Sequence, residues 1–400
     1  MPACRQPAGP ALRLSVADIL IRFHEAYLQR YGDRMRIEER KALQSILQCR
    51  TPVMGGRSYR CAHCERDHFA WHSCNHRICP RCGGADAQEW VASKLEERLP
   101  VAYYMVTFTL PSELRGLCRC RAKDFLKLFY ACSARAIKDV LKERRHLGGE
   151  CGFVGFLQTW TQELELHPHI HYMVPGVGID ANGKLRHPRD PRWLAYGDVF
   201  AGRLKTLLLK AVKKEGLAPS CGFDALWRKS WNCDVSNFGD GANALKYLGG
   251  YARRGPISDS RILEVRGDTV AISVKNRDTE ELETRRIDGV DFVRRYLQHA
   301  LPAGFHSVRY HGFLHPKAKA KLAAIREQLG VRLAAKSNKP ESPEPAPPVL
   351  CPRCRKPMSP IPPSGNERSE SGEMTAQLSR APPWERTIPK VWLRRQKVAA

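Results

Sequence analysis

The chain of 400 residues carries 66 lysines and arginines against 41 aspartates and glutamates, giving a formal net charge of +25. The length predicts two or three domains, and the charge favours a polyanionic partner, with nucleic acid ahead of an anionic membrane surface. The sequence has no apolar run of about 20 residues, which argues against a membrane span, and its start lacks the pattern of a signal peptide.

The first hundred residues are predicted to form a small helical and zinc-binding domain. Residues 1–15 are expected to be a flexible lead, and apolar residues recur at helical spacing through 16–48. A cysteine-rich block follows, and residues 86–98 are predicted to form a further helix. We therefore place a DNA-binding domain at residues 16–98.

The cysteine block predicts a structural zinc site. Cys61 and Cys64 are followed, after fourteen residues, by Cys79 and Cys82. Each CxxC turn directs two thiolates at one tetrahedral Zn²⁺ ion, which leaves no open position for chemistry. The odd cysteine count and the tight pairs favour metal in a reducing cytosol over disulfides. Four further residues of the block could substitute as ligands: His63, His72, Cys74 and His76.

Basic residues surround these cysteines and suit contacts with DNA phosphates. Arg77 and Arg81 flank the second pair and are predicted to bind DNA.

Strand-like and helix-like segments alternate through residues 99–318, which we predict to be the catalytic domain. Gly267-Asp268 marks the turn of a hairpin within it. The predicted strands are 101–110, 151–160 and 166–174, the hairpin is 261–276, and the helices are 123–143, 199–214 and 290–301.

Within this region the segment Leu166–Val174 reads LHPHIHYMV. Period-two alternation places its histidines on one face and Ile170 on the other. Residues two apart on a strand are separated by roughly 6.6 Å, so two imidazoles can converge on one divalent ion, whereas three cannot easily do so. His169 and His171 are therefore the predicted metal pair. The proline before them suits a strand end or an edge strand.

Two tyrosines follow in the segment KYLGGY. Tyr247 and Tyr251 would share one face of a helix. Lys246, Arg253 and Arg254 make their surroundings basic and are predicted to bind DNA. The two glycines between them are costly in a helix, which suggests a close approach of backbone or ligand, or a helix break. Tyrosine can act as a nucleophile, but its pKa of about 10 requires a nearby cation or proton acceptor.

The last part of the chain, residues 319–400, is predicted to be a helix followed by a mostly disordered Pro- and Ser-rich tail. It contains one isolated pair, Cys351 and Cys354, which could be half of a decayed site or of a shared one.

Several of these motifs, in this order, resemble one family. The HxH motif with an apolar middle residue resembles that of the HUH endonucleases, and YLGGY resembles the tyrosine pair of two-tyrosine rolling-circle transposases of bacterial insertion sequences. VTFTLPSEL at 106–114 resembles the strand that precedes the HUH strand in that family. The cysteine block resembles the family's N-terminal zinc-binding domain, and residues 292–314 resemble the end of its catalytic domain.

The resemblance implies an α+β fold: a central antiparallel HUH-type sheet flanked by helices, preceded by a helical and zinc-ribbon domain. It also implies a catalytic Mg²⁺ or Mn²⁺ ion on His169 and His171, and a 5′-phosphotyrosine formed by Tyr247 or Tyr251. Which tyrosine cleaves first stays open. The third metal ligand stays open among Gln158, Gln162, Glu163 and His167.

The implied partners are single-stranded DNA at the ends of a mobile element and at its target, together with a host helicase, in the bacterial cytoplasm at the nucleoid. Two alternatives remain at this point. One is a plasmid or phage replication initiator that uses the same chemistry, and the other is a non-catalytic zinc DNA-binding protein.

Overall fold

A computed structural model of the chain describes residues 14–82, 84–252, 255–276, 279–331 and 349–361. The helices are α1 (Val16–Tyr31), α2 (Ile37–Gln48), α3 (Gly84–Glu96), α4 (Arg115–Cys120), α5 (Ala122–Leu141), α6 (Gly197–Lys214), α7 (Phe223–Arg228), α8 (Ala242–Ala252), α9 (Gly289–Leu297) and α10 (Lys319–Gln328). The strands are β1 (Gly56–Arg60), β2 (Asp67–Trp71), β3 (Tyr103–Thr109), β4 (Glu150–Cys151), β5 (Phe153–Trp160), β6 (Leu166–Pro175), β7 (Gly178–Ile179), β8 (Leu185–Arg186), β9 (Asn232–Asn237), β10 (Ile262–Arg266), β11 (Thr269–Lys275), β12 (Leu282–Asp288), β13 (Val308–His311) and β14 (Ser359–Pro360). Within these ranges, no helix has both the length and the apolar character needed to cross a membrane.

The central element is a five-stranded antiparallel sheet in the order β13-β5-β6-β3-β9. Strand β6, which carries the histidines, is therefore an interior strand with partners on both sides. The proline was predicted to mark either an edge strand or the end of a strand. The edge-strand prediction is wrong, and the strand-end prediction is confirmed. The proline lies near the start of β6, where the pairing with β5 shifts between Gln158 and Trp160.

One face of this sheet packs on α5 and α6. Alternate residues of the strands, such as Phe108, Ile170 and Tyr172, are fully buried there. The other face packs on α3 and α8, where Met105 and Met173 are buried next to the apolar side of α8. The sheet is thus flanked by helices, as expected, and its second face is the one that also carries His169 and His171.

A second core joins the start of the chain to residues near 300. Helix α1 begins at a capping box in which Ser15 and Asp18 bond each other's backbone N–H, and the pattern of 16–48 forms two helices because the chain breaks after Tyr31. Both helices pack on α9 and on the three-stranded sheet β10-β11-β12. The predicted hairpin is confirmed, with Gly267 in the left-handed conformation (φ 52°) at its turn.

The cysteine-rich block forms a hairpin of β1 and β2, to which β14 adds a third antiparallel strand. Part of the predicted tail, residues 349–361, is therefore built into the N-terminal region. The rest of the tail beyond α10, at 332–348 and 362–400, and residues 1–13 of the predicted lead lie outside the described residues.

Candidate active site and metal centres

The histidine pair lies at the centre of the sheet face that α8 covers. In the strand register His171 is opposite Thr107 of β3, and His169 is opposite Gln158 of β5. The two imidazole ring centroids are 4.8 Å apart. The period-two spacing thus brings the two rings side by side on one surface.

Hydrogen bonds orient both rings through Nδ1. The Nδ1 of His169 is 2.7 Å from the carbonyl oxygen of His167, which can only accept, so this nitrogen carries the proton. The Nδ1 of His171 is 2.9 Å from the hydroxyl of Thr107. Such partners fix the orientation of metal-binding histidines, whose opposite nitrogen is then directed at the ion.

The second nitrogen of His171 fits a metal ligand. Its Nε2 is buried and has no hydrogen-bond partner among the described residues. Burial lowers the pKa of His171 to about 4, although the carboxylate of Asp234 acts in the opposite direction. The ring is therefore neutral near pH 7, the state in which imidazole binds metal.

Four residues were candidates for the third metal ligand, and their hydrogen bonds distinguish Gln158 from the other three. The Oε1 of Gln158 is buried with no hydrogen-bond partner in the described part of the chain, and its strand pairing places it opposite His169. The amide oxygen of Gln162 accepts from the backbone N–H of Lys275, and Glu163 pairs with Arg285 at 3.2 Å.

The remaining one, His167, is held by Arg115, whose Nη2 is 3.1 Å from its Nδ1. It lies in the irregular stretch where β5 and β6 shift register, and such bulges redirect side chains. Gln158 is therefore the residue whose oxygen is placed to complete a ligand set with the histidine pair.

The turn before the histidine strand is held by α9 and the residues after it. Leu164 in this turn is buried with a left-handed backbone (φ 62°), a strained conformation for a leucine. Its carbonyl oxygen accepts from the Nε2 of Gln298 at 2.8 Å and of His299 at 3.1 Å, and Arg295 pairs with Glu165 at 2.5 Å. Sequence reasoning missed this role. The signal was four polar residues, Arg294, Arg295, Gln298 and His299, among the apolar residues of 292–301.

The tyrosine helix α8 lies across the histidine face. It buries Leu245 and Leu248 against the sheet, and Tyr247 is 48% exposed beside the cavity. The ring of Tyr247 is 6.3 Å from that of His171, nearly perpendicular to it. Tyr251 lies one turn later in the same helix, and its side chain is outside the described residues.

The close approach suggested by the glycine pair occurs at Gly249. A Cβ there would lie 1.9 Å from Cγ2 of Val91 on α3. The glycine thus allows α8 to lie tightly against α3, and this packing sets the position of Tyr247.

A cavity of about 600 Å³ opens beside Tyr247. Gln158 of β5 and Lys246 of α8 line it on one side, and Arg81 lines it from the cysteine block. The predicted DNA contacts Lys246 and Arg81 therefore line the same cavity as Tyr247.

The other three predicted DNA contacts are placed differently. Arg77 donates to the carbonyl of Phe305 at 3.1 Å and so joins the cysteine block to the segment between α9 and β13. Arg253 and Arg254 lie outside the described residues.

The four cysteines predicted to share one zinc ion are not brought together. Cys79 and Cys82 cluster instead with Cys49 and Cys74, and all four ligand atoms lie within 4.8 Å of one another. Sequence spacing missed Cys49, which sits at the end of α2, and gave Cys74 only as a substitute ligand. The predicted grouping is wrong because the hairpin β1–β2 carries the first CxxC pair away from the second.

Cys61 and Cys64 form a separate cluster with Cys351 and Cys354 of the tail, again with all four sulfurs within 4.8 Å. Of the two interpretations of the tail pair, the shared site is the one that the structure supports. The donor set of each cluster, four thiols at tetrahedral spacing, fits Zn²⁺.

Two family models match the chain. The transposase zinc-binding domain (Zn_Tnp_IS91) matches residues 19–110, and the family described as "Putative transposase" (Y2_Tnp) matches residues 152–321. The first range contains Cys49, Cys74, Cys79 and Cys82, and the second contains both histidines and both tyrosines.

Two curated relatives are named as transposases. "Putative transposase y4qJ" of Sinorhizobium fredii is 29% identical over 342 residues, which cover 80% of this chain and 86% of the relative. "Transposase for insertion sequence element IS801" of Pseudomonas savastanoi pv. phaseolicola is 26% identical over 301 residues, covering 70% and 71%. No solved structure matches the chain. With a match to the transposase zinc-binding domain ahead of a match to the Y2_Tnp transposase family, and with two relatives named as transposases, the chain belongs to the transposases of the IS91 family.

Proposed function

We propose that this transposase cuts and rejoins single-stranded DNA through a covalent phosphotyrosine, with Tyr247 as the first nucleophile. The observation that carries the proposal is the position of the Tyr247 ring, 6.3 Å from the His171 ring at the edge of the cavity. A phenol at this place reaches a phosphodiester lying over the histidine face. Tyr247 is about half exposed, so a DNA strand can approach it from solvent.

His169, His171 and Gln158 would hold a divalent ion, Mg²⁺ or Mn²⁺. The fit rests on the buried Nε2 of His171 and the buried Oε1 of Gln158, which have no other hydrogen-bond partner among the described residues. When bound, such an ion polarises a phosphate oxygen as a Lewis acid. Two nitrogens and one oxygen leave room for phosphate oxygens and water in a six-coordinate shell.

The chain itself supplies the nucleophile and its orientation. The Tyr247 oxygen bonds to phosphorus, the bond from phosphorus to the 3′ oxygen breaks, the phenol proton passes to water, and the departing oxygen becomes a 3′-hydroxyl. The phosphodiester is thereby exchanged for a 5′-phosphotyrosine ester. Because the ester is retained, a second hydroxyl can displace the tyrosine without a nucleotide cofactor.

Tyr251 is the proposed second nucleophile. It follows Tyr247 by four residues, about one turn further along α8. Two nucleophiles suit a reaction that exchanges a donor strand and a target strand. One tyrosine would retain the first 5′ end while the other cuts the second strand.

The cavity is the proposed path of the DNA strand. Lys246 and Arg81 face it from two different parts of the fold, and the chain as a whole carries a net charge of +25. Arg253 and Arg254 follow α8 in the sequence and are proposed as further DNA contacts. The site would act on DNA already opened by a host helicase, in the bacterial cytoplasm at the nucleoid.

The test is a covalent adduct on a denaturing gel, formed from labelled single-stranded DNA carrying the ends of the element, with Mg²⁺ or Mn²⁺ present. We expect Tyr247→Phe to remove the first adduct, and His169→Ala or His171→Ala to remove the metal-dependent reaction. Tyr196→Phe is the matched control, because Tyr196 is an exposed tyrosine away from the cavity.

An adduct of unchanged yield in Tyr247→Phe, lost only in Tyr251→Phe, would reverse the order of the two tyrosines. An adduct that survives the double substitution Tyr247→Phe and Tyr251→Phe would reject the proposed chemistry. Equal cleavage of duplex and single-stranded DNA would reject the proposed substrate.

A further inference from the structure

The second cysteine cluster joins two segments that are far apart in the chain. Cys61 and Cys64 follow strand β1, and Cys351 and Cys354 precede β14. The Sγ of Cys61 is 3.4 Å from that of Cys354, and the Sγ of Cys64 is 3.6 Å from that of Cys351, 287 residues later. This cluster takes no part in the proposed strand transfer, and its second half lies outside both regions matched by family models.

We propose that these four thiolates bind a second Zn²⁺ ion, which clasps the C-terminal segment 349–361 to the N-terminal hairpin. Zinc–sulfur bonds of about 2.3 Å in a tetrahedron place the sulfurs about 3.8 Å apart, close to the separations found here. A disulfide would need sulfurs about 2.05 Å apart. The sulfur spacing therefore favours a metal site over two disulfides.

The two CxxC pairs have the same backbone turn. In each pair the N–H of the first cysteine donates to the carbonyl five residues later, Cys61 to Arg66 at 3.0 Å and Cys351 to Lys356 at 2.8 Å. The residue directly after each pair, Glu65 or Arg355, has a left-handed backbone, with φ of 52° and 61°. That conformation is uncommon for residues other than glycine. The two CxxC turns face each other and bring their four thiols together. This is the arrangement of a zinc ribbon.

Backbone hydrogen bonds also connect the N-terminal hairpin with the C-terminal segment 349–361. Strand β14 pairs with β1, and the N–H of Ile361 donates to the carbonyl of Ser58 at 2.8 Å. Cys61 and Cys351 are fully buried, but Met358 is the only other residue that is buried in this cluster. So small an apolar core does not hold a segment in place, and metal binding would provide the missing stability.

A neighbouring histidine is placed to stabilise the negative charge of the thiolates. The Nε2 of His68, on β2, lies 3.5 Å from the Sγ of Cys351. An N–H at this place donates to a zinc-bound thiolate, as partners outside the ligand set commonly do. Residues of the β1–β2 hairpin and of the C-terminal segment thus contribute to the proposed zinc site. Without the ion, we expect segment 349–361 to separate from the hairpin.

Zinc content of the full-length chain, purified under reducing conditions, gives the first test. We expect two zinc ions per chain by mass spectrometry of the metal, and one in the variant Cys351→Ser/Cys354→Ser. Cys120→Ser is the matched control, since Cys120 is an exposed cysteine outside both clusters, and it should keep two. One ion in the unsubstituted chain, or two in the double variant, would overturn the proposal.

A second test needs no cysteine substitution and so does not depend on the folding of the variant. A protease site inserted between Asn338 and Lys339 allows the full-length chain to be cut before the tail segment. We expect the C-terminal fragment to co-elute with the rest of the chain in gel filtration until a zinc chelator is added. Release without chelator, or release by a reductant alone, would refute the zinc clasp.

Discussion

The packing of α8 on α3 provides a direct test of how the tyrosine is positioned. Gly249→Ala would add a Cβ 1.9 Å from Cγ2 of Val91, where ordinary contacts begin at 3.4 Å. Val91 is β-branched and stiff, so the two helices must separate by roughly the missing distance rather than the side chain turning aside. Tyr247 is two residues away on the same helix and should move with it.

The magnitude follows from two opposing terms. Overpacking costs typically about 1–3 kcal/mol, and replacing glycine by alanine within a helix returns about 1 kcal/mol. The net loss of stability should therefore be about 0–2 kcal/mol. A misplacement of about 1 Å can cost about 100-fold in rate, so we expect adduct formation to slow about 10- to 100-fold.

The assay is single-turnover adduct formation, with urea denaturation of the same variants. Gly202→Ala is the matched control, because Gly202 lies within α6 and a Cβ there would meet nothing within 4 Å. It should gain up to about 1 kcal/mol of stability and keep its rate. Val91→Ala combined with Gly249→Ala should restore most of the lost rate. A Gly249→Ala variant that cleaves at the unsubstituted rate would show that this contact does not position the tyrosine.

Three further predictions concern the histidine pair, the pH dependence of stability and the basic residues. Thr107→Val removes the hydroxyl beside Nδ1 of His171 and should weaken cleavage or apparent metal affinity about 10- to 100-fold, measured by titrating Mn²⁺ into the adduct assay; an unchanged titration would contradict the positioning role. Burial lowers the pKa of His299 from 6.5 to about 3, so the unfolded chain binds one more proton between these values, and the stability fully present above pH 6.5 falls as the pH drops. Because half of the unfolded chains already carry this proton at pH 6.5, urea denaturation at pH 6.5 and 5.5 should show a loss about 1 kcal/mol smaller in His299→Gln than in the unsubstituted chain. Arg81→Ala should weaken DNA binding and reduce its salt dependence by about one phosphate contact, whereas Arg77→Ala should leave the salt dependence unchanged; each variant also loses a hydrogen bond to a backbone carbonyl and some stability, so equal salt slopes in both variants would refute the distinction.

The sequence by itself determined the elements that local periodicity specifies. Alternation on β6 assigned His169 and His171 to the face opposite Ile170, because successive side chains on a strand point to opposite sides. Helical spacing gave α5, α6 and α9, and Gly267 marked the hairpin turn. The order of the motifs was sufficient to indicate the transposase family.

Only the tertiary structure decided which distant residues meet. The sequence spacing predicted that Cys61 and Cys79 share one metal site, whereas the fold places Cys61 in a cluster with Cys354 and Cys79 in a cluster with Cys49. A CxxC pair fixes the direction of its own two thiols, but its partner depends on strand pairing and helix packing over hundreds of residues.

The histidine face of the sheet also depends on contacts between residues that are distant in the sequence. Four side chains were compatible with a third ligand, and Gln158 was separated from the rest by the register of β5 against β6 and by the partners that occupy the others. Likewise, the basic character of Arg77 and Arg81 was evident in the sequence. Only packing shows that Arg77 is bound to Phe305, whereas Arg81 donates to the carbonyl of Cys49 and also lines the cavity, since the partner of a long side chain is set by the surface it meets after folding.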